Sequence, residues 1–388
     1  MTSITQLDPV FAETGDKGTI LDAKYETGWV DGDQPGSDIF NTAQNRADLK
    51  INEIMNWTAA QSVGNFSAAQ IPAGITAMEI LGYHPSIGEG RWLVGSTTGS
   101  PENTYYSDNN GASWSGSTSL GDDFTDEGKG SVDSTRFLVL SKSATTTILY
   151  STNATSWSNT TAPDSAGATG SSVNIDTKTR VSDDFIVVGT GTGKIGFADS
   201  VTDSWSVPSV SPSSSDPIFP IFLTGTTFFA VDETGLSFIS TDDCDNWAAT
   251  ATNPASISGT VINTWSRPSY NPNTGTICVS GTDTGSNVFE INRTTDSGTT
   301  WAKADVSNTV RTSQGKANWV GGNTWICNGS EHIFTSHDDG ETWHEGIIND
   351  YDASSSSIGH VYSNGEILMF ANNDEIYVSQ PVPNLSNL

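Results

Sequence analysis

Positive charge is what this sequence has least of. Lys and Arg total 16 against 45 acidic residues, a net charge of −29 over 388 residues. Such a field repels a phosphate backbone and an anionic bilayer, which excludes nucleic-acid binding and charge-driven membrane attachment. Cysteine is scarce as well. Cys244, Cys278 and Cys327 are odd in number and widely spaced, so they form no disulfide framework. Cys278 in Thr276-Ile277-Cys278-Val279 and Cys327 in Trp325-Ile326-Cys327 read as buried strand positions, where a free thiol acts as a small hydrophobe. No apolar run reaches the roughly 20 residues of a membrane span, and no membrane insertion is expected. The opening Met1-Thr2-Ser3-Ile4-Thr5-Gln6 lacks the basic and apolar regions of a secretory leader. The expectation is a chain made and folded in a cytoplasm.

Hydrophobic residues make up only 35%, while Gly reaches 38 and Trp 12. Asp outnumbers Glu, 31 to 14, and Asp, Gly, Asn and Ser favour turns. This composition points to an all-β, loop-rich protein. One helical pattern stands out near the N-terminus: Ser37 or Asp38 can cap it, and Phe40, Ala43, Ala47, Ile51 and Ile54 follow at steps of three and four, which predicts a helix over about 38–55. Residues 1–60 are otherwise irregular, and the repeating domain is expected over 61–388.

Six segments carry a polar turn that ends in Trp: Ser107 to Trp114, Ser151 to Trp157, Ala198 to Trp205, Ser240 to Trp247, Thr294 to Trp301 and Ser336 to Trp343. Steps between those Trp residues are 43, 48, 42, 54 and 42, the length of a four-stranded propeller blade. Short runs that are apolar on both faces precede the turns, among them Phe137-Leu138-Val139-Leu140 and Phe228-Phe229-Ala230-Val231. They read as strands sandwiched between neighbouring sheets. Seven such runs, the last Ile367 to Phe370, predict a seven-bladed β-propeller of four-stranded antiparallel blades. The final repeat has room for three strands only, so a strand from about 57–70 is expected to close the ring and cover its edge.

The pattern Ser/Thr-x-Asp-x-Gly-x-Thr-Trp resembles the Asp-box, or BNR, repeat. It is complete at Asp296, Gly298 and Trp301 and at Asp338, Gly340 and Trp343, and altered at Asn109, Gly111 and Trp114, at Trp157, at Trp205, and at Asp242 and Trp247, where Cys244 stands in the Gly position. The resemblance implies a hairpin between the third and fourth strands of each blade. Its Asp and Ser/Thr side chains would hold the turn and its Trp would pack into the blade, so these residues are structural rather than catalytic or calcium-binding.

Residues 11–53, with Gly28-Trp29, Gly32 to Pro35 and Phe40-Asn41, resemble the start of tailed-phage structural proteins. That likeness implies a virion protein, a tail fibre or similar appendage, made in the bacterial host. Residues 1–60 would dock on other virion proteins or oligomerise, a trimer being the favoured state. The propeller would meet a host-surface glycan or protein, or a neighbouring virion subunit. A purely structural virion component and a glycan-degrading enzyme remain as alternatives.

No ordered acid–base set is visible. Sialidase chemistry needs several convergent arginines, yet the propeller holds six in all, Arg91, Arg136, Arg180, Arg267, Arg293 and Arg311, and Arg267-Pro268 is the nearest echo of that family's early motif. His332, His337 and His344 flank one tight hairpin and read as surface residues, not a zinc site. Thr190 to Lys194 lacks the spacing of a phosphate loop. Tyr83, Tyr270 and Tyr351 are candidate loop aromatics for stacking on sugar. No cofactor and no metal are expected.

Overall fold

The structure is a computed structural model that describes residues 66–68, 78–96, 103–120, 130–140, 147–161, 172–179, 184–257, 262, 264–283, 288–306, 315–328, 333–346, 361–364, 367–372 and 375–379. The expected helix over 38–55 and the attachment segment 1–60 lie outside them. The described strands form seven sheets of a β-propeller, antiparallel except for one added strand in blade 6. Blade 1 runs Met78–His84, Arg91–Ser96, Asn103–Ser107 and Ser115–Ser119, and blade 4 runs Ile218–Thr224, Thr227–Asp232, Ser237–Ser240 and Ala248–Ala249. The first strands of successive blades lie side by side. The series passes from Met78–His84 through Gly130–Val132, Ser172–Thr179, Ile218–Thr224, Ser269–Tyr270 and Lys316–Gly321 to Tyr362–Ser363, which touches Met78–His84 again. That return closes the ring.

Burial explains why the second strands are apolar on both faces. In Phe137–Leu140, Phe137 and Val139 pack with Leu81 and Leu93 of blade 1, while Leu138 and Leu140 pack with Ile186 and Val188 of blade 3. In Thr227–Asp232, Phe228 and Ala230 face Phe185 and Val187 of blade 3, and Phe229 and Val231 face Ile277 and Val279 of blade 5. Successive residues of a strand point to opposite faces, so one run feeds two interfaces. The core therefore lies between blades, and a single sheet has no core of its own.

Blade 7 combines Tyr362–Ser363, Leu368–Asn372 and Glu375–Ser379 with Phe66–Ala68, which pairs antiparallel with Glu375–Ser379 in the register Phe66 to Ser379 and Ala68 to Tyr377. Blade 3 is weaker than the four-stranded pattern. Ala198 occupies the Ser/Thr position of its turn, and its fourth strand shrinks to the single bridge between Phe197 and Ser206. Blade 6 gains a strand, since Asp305–Val306 arrives from blade 5 and pairs parallel with Thr342–Gly346. A single helical turn, Pro254–Ile257, occurs among the described residues.

Candidate functional site

The repeated turns sit where blade hairpins need them, and they are occupied with their own backbone. Between Ile333–Ser336 and Thr342–Gly346, the Ser336 hydroxyl donates to Asp338 Oδ1 (2.8 Å) and accepts from the Gly340 amide (2.9 Å). Asp338 accepts from the Thr342 amide at 2.9 Å and from its hydroxyl at 2.6 Å. Asp296 repeats this with Thr300, and Asp242 with Asn246, at 2.7–2.9 Å. Asn109 accepts from the Ser113 amide at 2.9 Å. The Asn246 amide holds the Asp242 carboxyl below its ordinary range. At Asp296 and Asp338 burial pushes upward, and the threonine hydrogen bonds outweigh it. The indoles of Trp247 and Trp343 donate back to the carbonyls of Cys244 and Gly340, both at 3.0 Å. Trp114 and Trp301 are buried, and Trp157 and Trp205 are half-buried against the blade clusters. Carboxylates saturated in this way are turn hardware, with no oxygen arranged toward a common point.

Other residues to which the sequence points are scattered over the ring. Tyr83 is no loop residue: it lies in the strand Met78–His84 with its ring 4.9 Å from that of Trp92. His337 is half-buried rather than on the surface. Its Nδ1 lies 3.4 Å from the Thr324 hydroxyl, and burial lowers its pKa. His344 is exposed. His332 and Tyr351 fall outside the described residues. No cluster of metal-binding side chains occurs among the described residues. All three cysteines are buried and outside any disulfide, and burial pushes the Cys278 and Cys327 thiols up. Thr190 to Lys194 is the turn between Asp184–Thr190 and Ile195–Ala198.

The feature that gathers chemistry is a cavity of about 830 Å³ on the ring axis, lined by the first strands of blades 3 to 7 and the first turns of blades 5 and 6. Aromatic and aliphatic walls come from Phe222, Tyr270, Trp319, Ile221, Leu223 and Val361. Pro272, Asn273 and Gly322 belong to the turns joining first to second strands, so the cavity reaches that end of the ring. Arg267 and Asp176 are its one cation and its one carboxylate among the described lining residues. They form an ion pair at 3.6 Å, with side chains 23% and 20% exposed. Asp176 also accepts the Phe222 amide at 2.8 Å. Trp319 is fixed twice: its amide donates to the Ser269 hydroxyl (3.0 Å) and its indole to the Gly322 carbonyl (2.9 Å). Tyr362 reaches from blade 7 to the Gly130 carbonyl of blade 2 at 3.5 Å. Burial pushes its hydroxyl up to about 12, with Arg267 pulling the other way. Burial raises Tyr270 too.

Solved propellers share this architecture. YCF48 from Cyanidioschyzon merolae aligns over 82% of this chain and 98% of its own, at 12% identity and a TM-score of 0.56. YCF48 bound to a D1 peptide aligns over 82% and 95%, at 14% identity and 0.54. A GH74 xyloglucanase from Xanthomonas campestris aligns over 82% of this chain, at 12% identity and 0.56. This chain spans about half of that enzyme, 54% of its length. At such identities the likeness is one of fold: the chain is a seven-bladed propeller. No protein-family profile matches it, and no curated protein does.

Of the cavity residues, the sequence alone points to Arg267 and Tyr270. Asp176, Phe222 and Trp319 escape it because first strands carry no repeated motif.

Proposed function

We propose that the propeller binds a surface saccharide in its axial cavity without cleaving it, as the receptor-binding part of a tailed-phage virion protein. The observation that carries the binding reading is the cavity itself. Its volume of about 830 Å³ falls within the range of ligand pockets, and fixed aromatic rings beside amide and hydroxyl groups suit the faces and edges of sugars. Most glycosidases need two carboxylates across the scissile bond. The described lining offers Asp176 alone, already engaged with Arg267 and with the Phe222 amide. Asp-box turns that satisfy themselves, as at Asp296 and Asp338, favour a structural role for the motif. The virion assignment, including docking and trimerisation through residues 1–60, rests on the resemblance of residues 11–53 to tailed-phage structural proteins.

The test is calorimetric titration of the full chain with host-surface polysaccharide fragments, with a parallel assay for released reducing ends. Binding without release is expected. Release of reducing ends would replace the binder with an enzyme, and absence of any saccharide binding would remove the reading. The solved YCF48–peptide complex supports a second reading, a protein partner, which the same titration with peptide would reveal. Immunogold labelling of particles that carry the chain should place the propeller at the tail.

A further inference from the structure

Several cations of this acidic protein donate to acids or carbonyls close by. Arg91 sits 2.6 Å from Asp108 and donates to the Asn153 carbonyl as well. Lys303 lies 2.6 Å from Glu290, and Arg136 donates to both Asp133 and Ser200. Arg267 differs. Its nearest described acid, Asp176, is 3.6 Å away, and its guanidinium donates no hydrogen bond among the described residues. A guanidinium carries five N–H donors in a planar fork, and with the side chain 23% exposed those of Arg267 stay open to solvent and to a ligand. Asp176, anchored by the Phe222 amide, holds Arg267 without consuming its fork. The fork is thus presented in an aromatic-walled cavity.

From this geometry, and resting on the saccharide reading above, we infer that Arg267 receives the carboxylate of a sparsely charged acidic saccharide, one uronate-type residue on a neutral body. The planar fork matches a carboxylate bidentately. Trp319, Tyr270 and Phe222 offer surfaces for the ring faces, and Ser269, Asn273 and Asn318 line the same space for its hydroxyls. Sparse charge follows from the protein's field: a net charge of −29 repels a polyanion at long range, whereas one carboxylate gains a short, poorly screened contact. Asp176 tempers the site against anions in general, since a ligand must share Arg267 with it.

The test titrates the full chain with a disaccharide ending in glucuronic acid, its carboxyl-reduced neutral twin, a sulfated disaccharide and an acidic tetrapeptide. The acidic disaccharide should bind roughly tenfold or more tightly than the neutral twin, the advantage of a charge-assisted pair. Arg267→Gln should erase that preference, so that the acid and its neutral twin bind alike. Arg267→Lys, which keeps the charge and the Asp176 pairing, should restore only part of it, and Asp176→Asn should strengthen it. These two variants decide the matter if the Gln variant fails to fold. Equal binding of acid and neutral twin overturns the inference and spares the saccharide site. Preference for the sulfated sugar overturns the carboxylate assignment. Binding of the tetrapeptide alone, or of none of the probes, overturns both readings.

Discussion

The Asn271 side-chain amide of blade 5 donates to Asp339 Oδ1 of blade 6 at 2.8 Å, across the boundary between blades. The same carboxylate accepts the Trp325 indole at 3.1 Å and the Thr276 hydroxyl, and Asn271 also reaches the Gly322 carbonyl at 3.0 Å. Blade 1 repeats the arrangement. Asn110 Oδ1 takes the Trp92 indole at 3.1 Å and the Asn364 amide of blade 7 at 3.0 Å. In both turns the acceptor residue is left-handed, with φ of 60° at Asp339 and 54° at Asn110, and this turns its side chain toward the preceding blade. One turn position thus staples neighbouring blades.

Removing that staple should be expensive. Asp339→Ala leaves three donors unmet, and each unsatisfied buried group costs about 1–3 kcal/mol. We expect a loss of about 2–4 kcal/mol in chemical denaturation for Asp339→Ala, and less for Asn271→Ala, with the double variant well short of the sum. Additive losses would mean that the two side chains act independently.

The left-handed glycine that follows has a second duty. Gly340 has φ of 83°, and a Cβ there would come within 2.5 Å of Cys278 Sγ in blade 5. Gly340→Ala combines backbone strain with overpacking and should cost about 2–4 kcal/mol. Cys278→Ala in that background should recover part of the loss, because it removes the clash and leaves the strain. Thermal melting of the three variants separates the two contributions.

The blade count is legible in the sequence because the turn chemistry and the doubly apolar runs repeat, and each has a physical cause. A hairpin that must bend left-handed twice needs its Ser/Thr and Asp to hold the loop, and Phe228 to Val231 must serve two interfaces at once. The axial cavity is not legible. Arg267, Asp176 and Trp319 come from different blades, where each lines the axis in its own way and nothing repeats. Asn271 and Asp339 are hidden for another reason: the turn position of Asp339 varies among Asn110, Asp243, Ser297 and Asp339, and variation there reads as tolerance. Burial of His337 is hidden too, because a place beside a hairpin suggests exposure, whereas its ring packs toward Thr324.

Acid should loosen the blades through their turns. Asp242, Asp296 and Asp338 have folded-state pKa values lowered from 3.8. A lowered carboxyl contributes stability that is present above its unfolded value and lost as pH falls through the folded one. The melting temperature should therefore be insensitive to these groups near neutrality and should fall below about pH 4. Asp296→Asn should flatten that acid slope. An unchanged slope in all three Asn variants would assign the acid sensitivity elsewhere.

The cysteines should be silent in the folded protein. Burial raises the thiols of Cys278 and Cys327, and the thiolate is the nucleophile. Iodoacetamide at mildly alkaline pH should label neither in native conditions and all three cysteines in denaturant, as read by intact mass. Native labelling at Cys278 would show that the interface between blades 5 and 6 opens on the timescale of the reaction.

Ring closure yields the sharpest comparison. Phe66–Ala68 supplies the outer strand of blade 7 through its pairing with Glu375–Ser379. Two truncations differ only in that strand: one starting at residue 66, the other at residue 71. The first retains the pairing, while the second leaves Tyr377 and Val378 on an open edge, a template for pairing between molecules. The shorter chain should melt at a lower temperature and aggregate on heating, whereas the longer one should not show that added aggregation. Adding a peptide that spans residues 63–70 should rescue the shorter chain in a concentration-dependent way, since a ligand that binds only the folded state stabilises it by mass action. Identical melting of the two truncations would mean that the strand is an ornament on a ring already closed by the contact of Tyr362–Ser363 with Met78–His84.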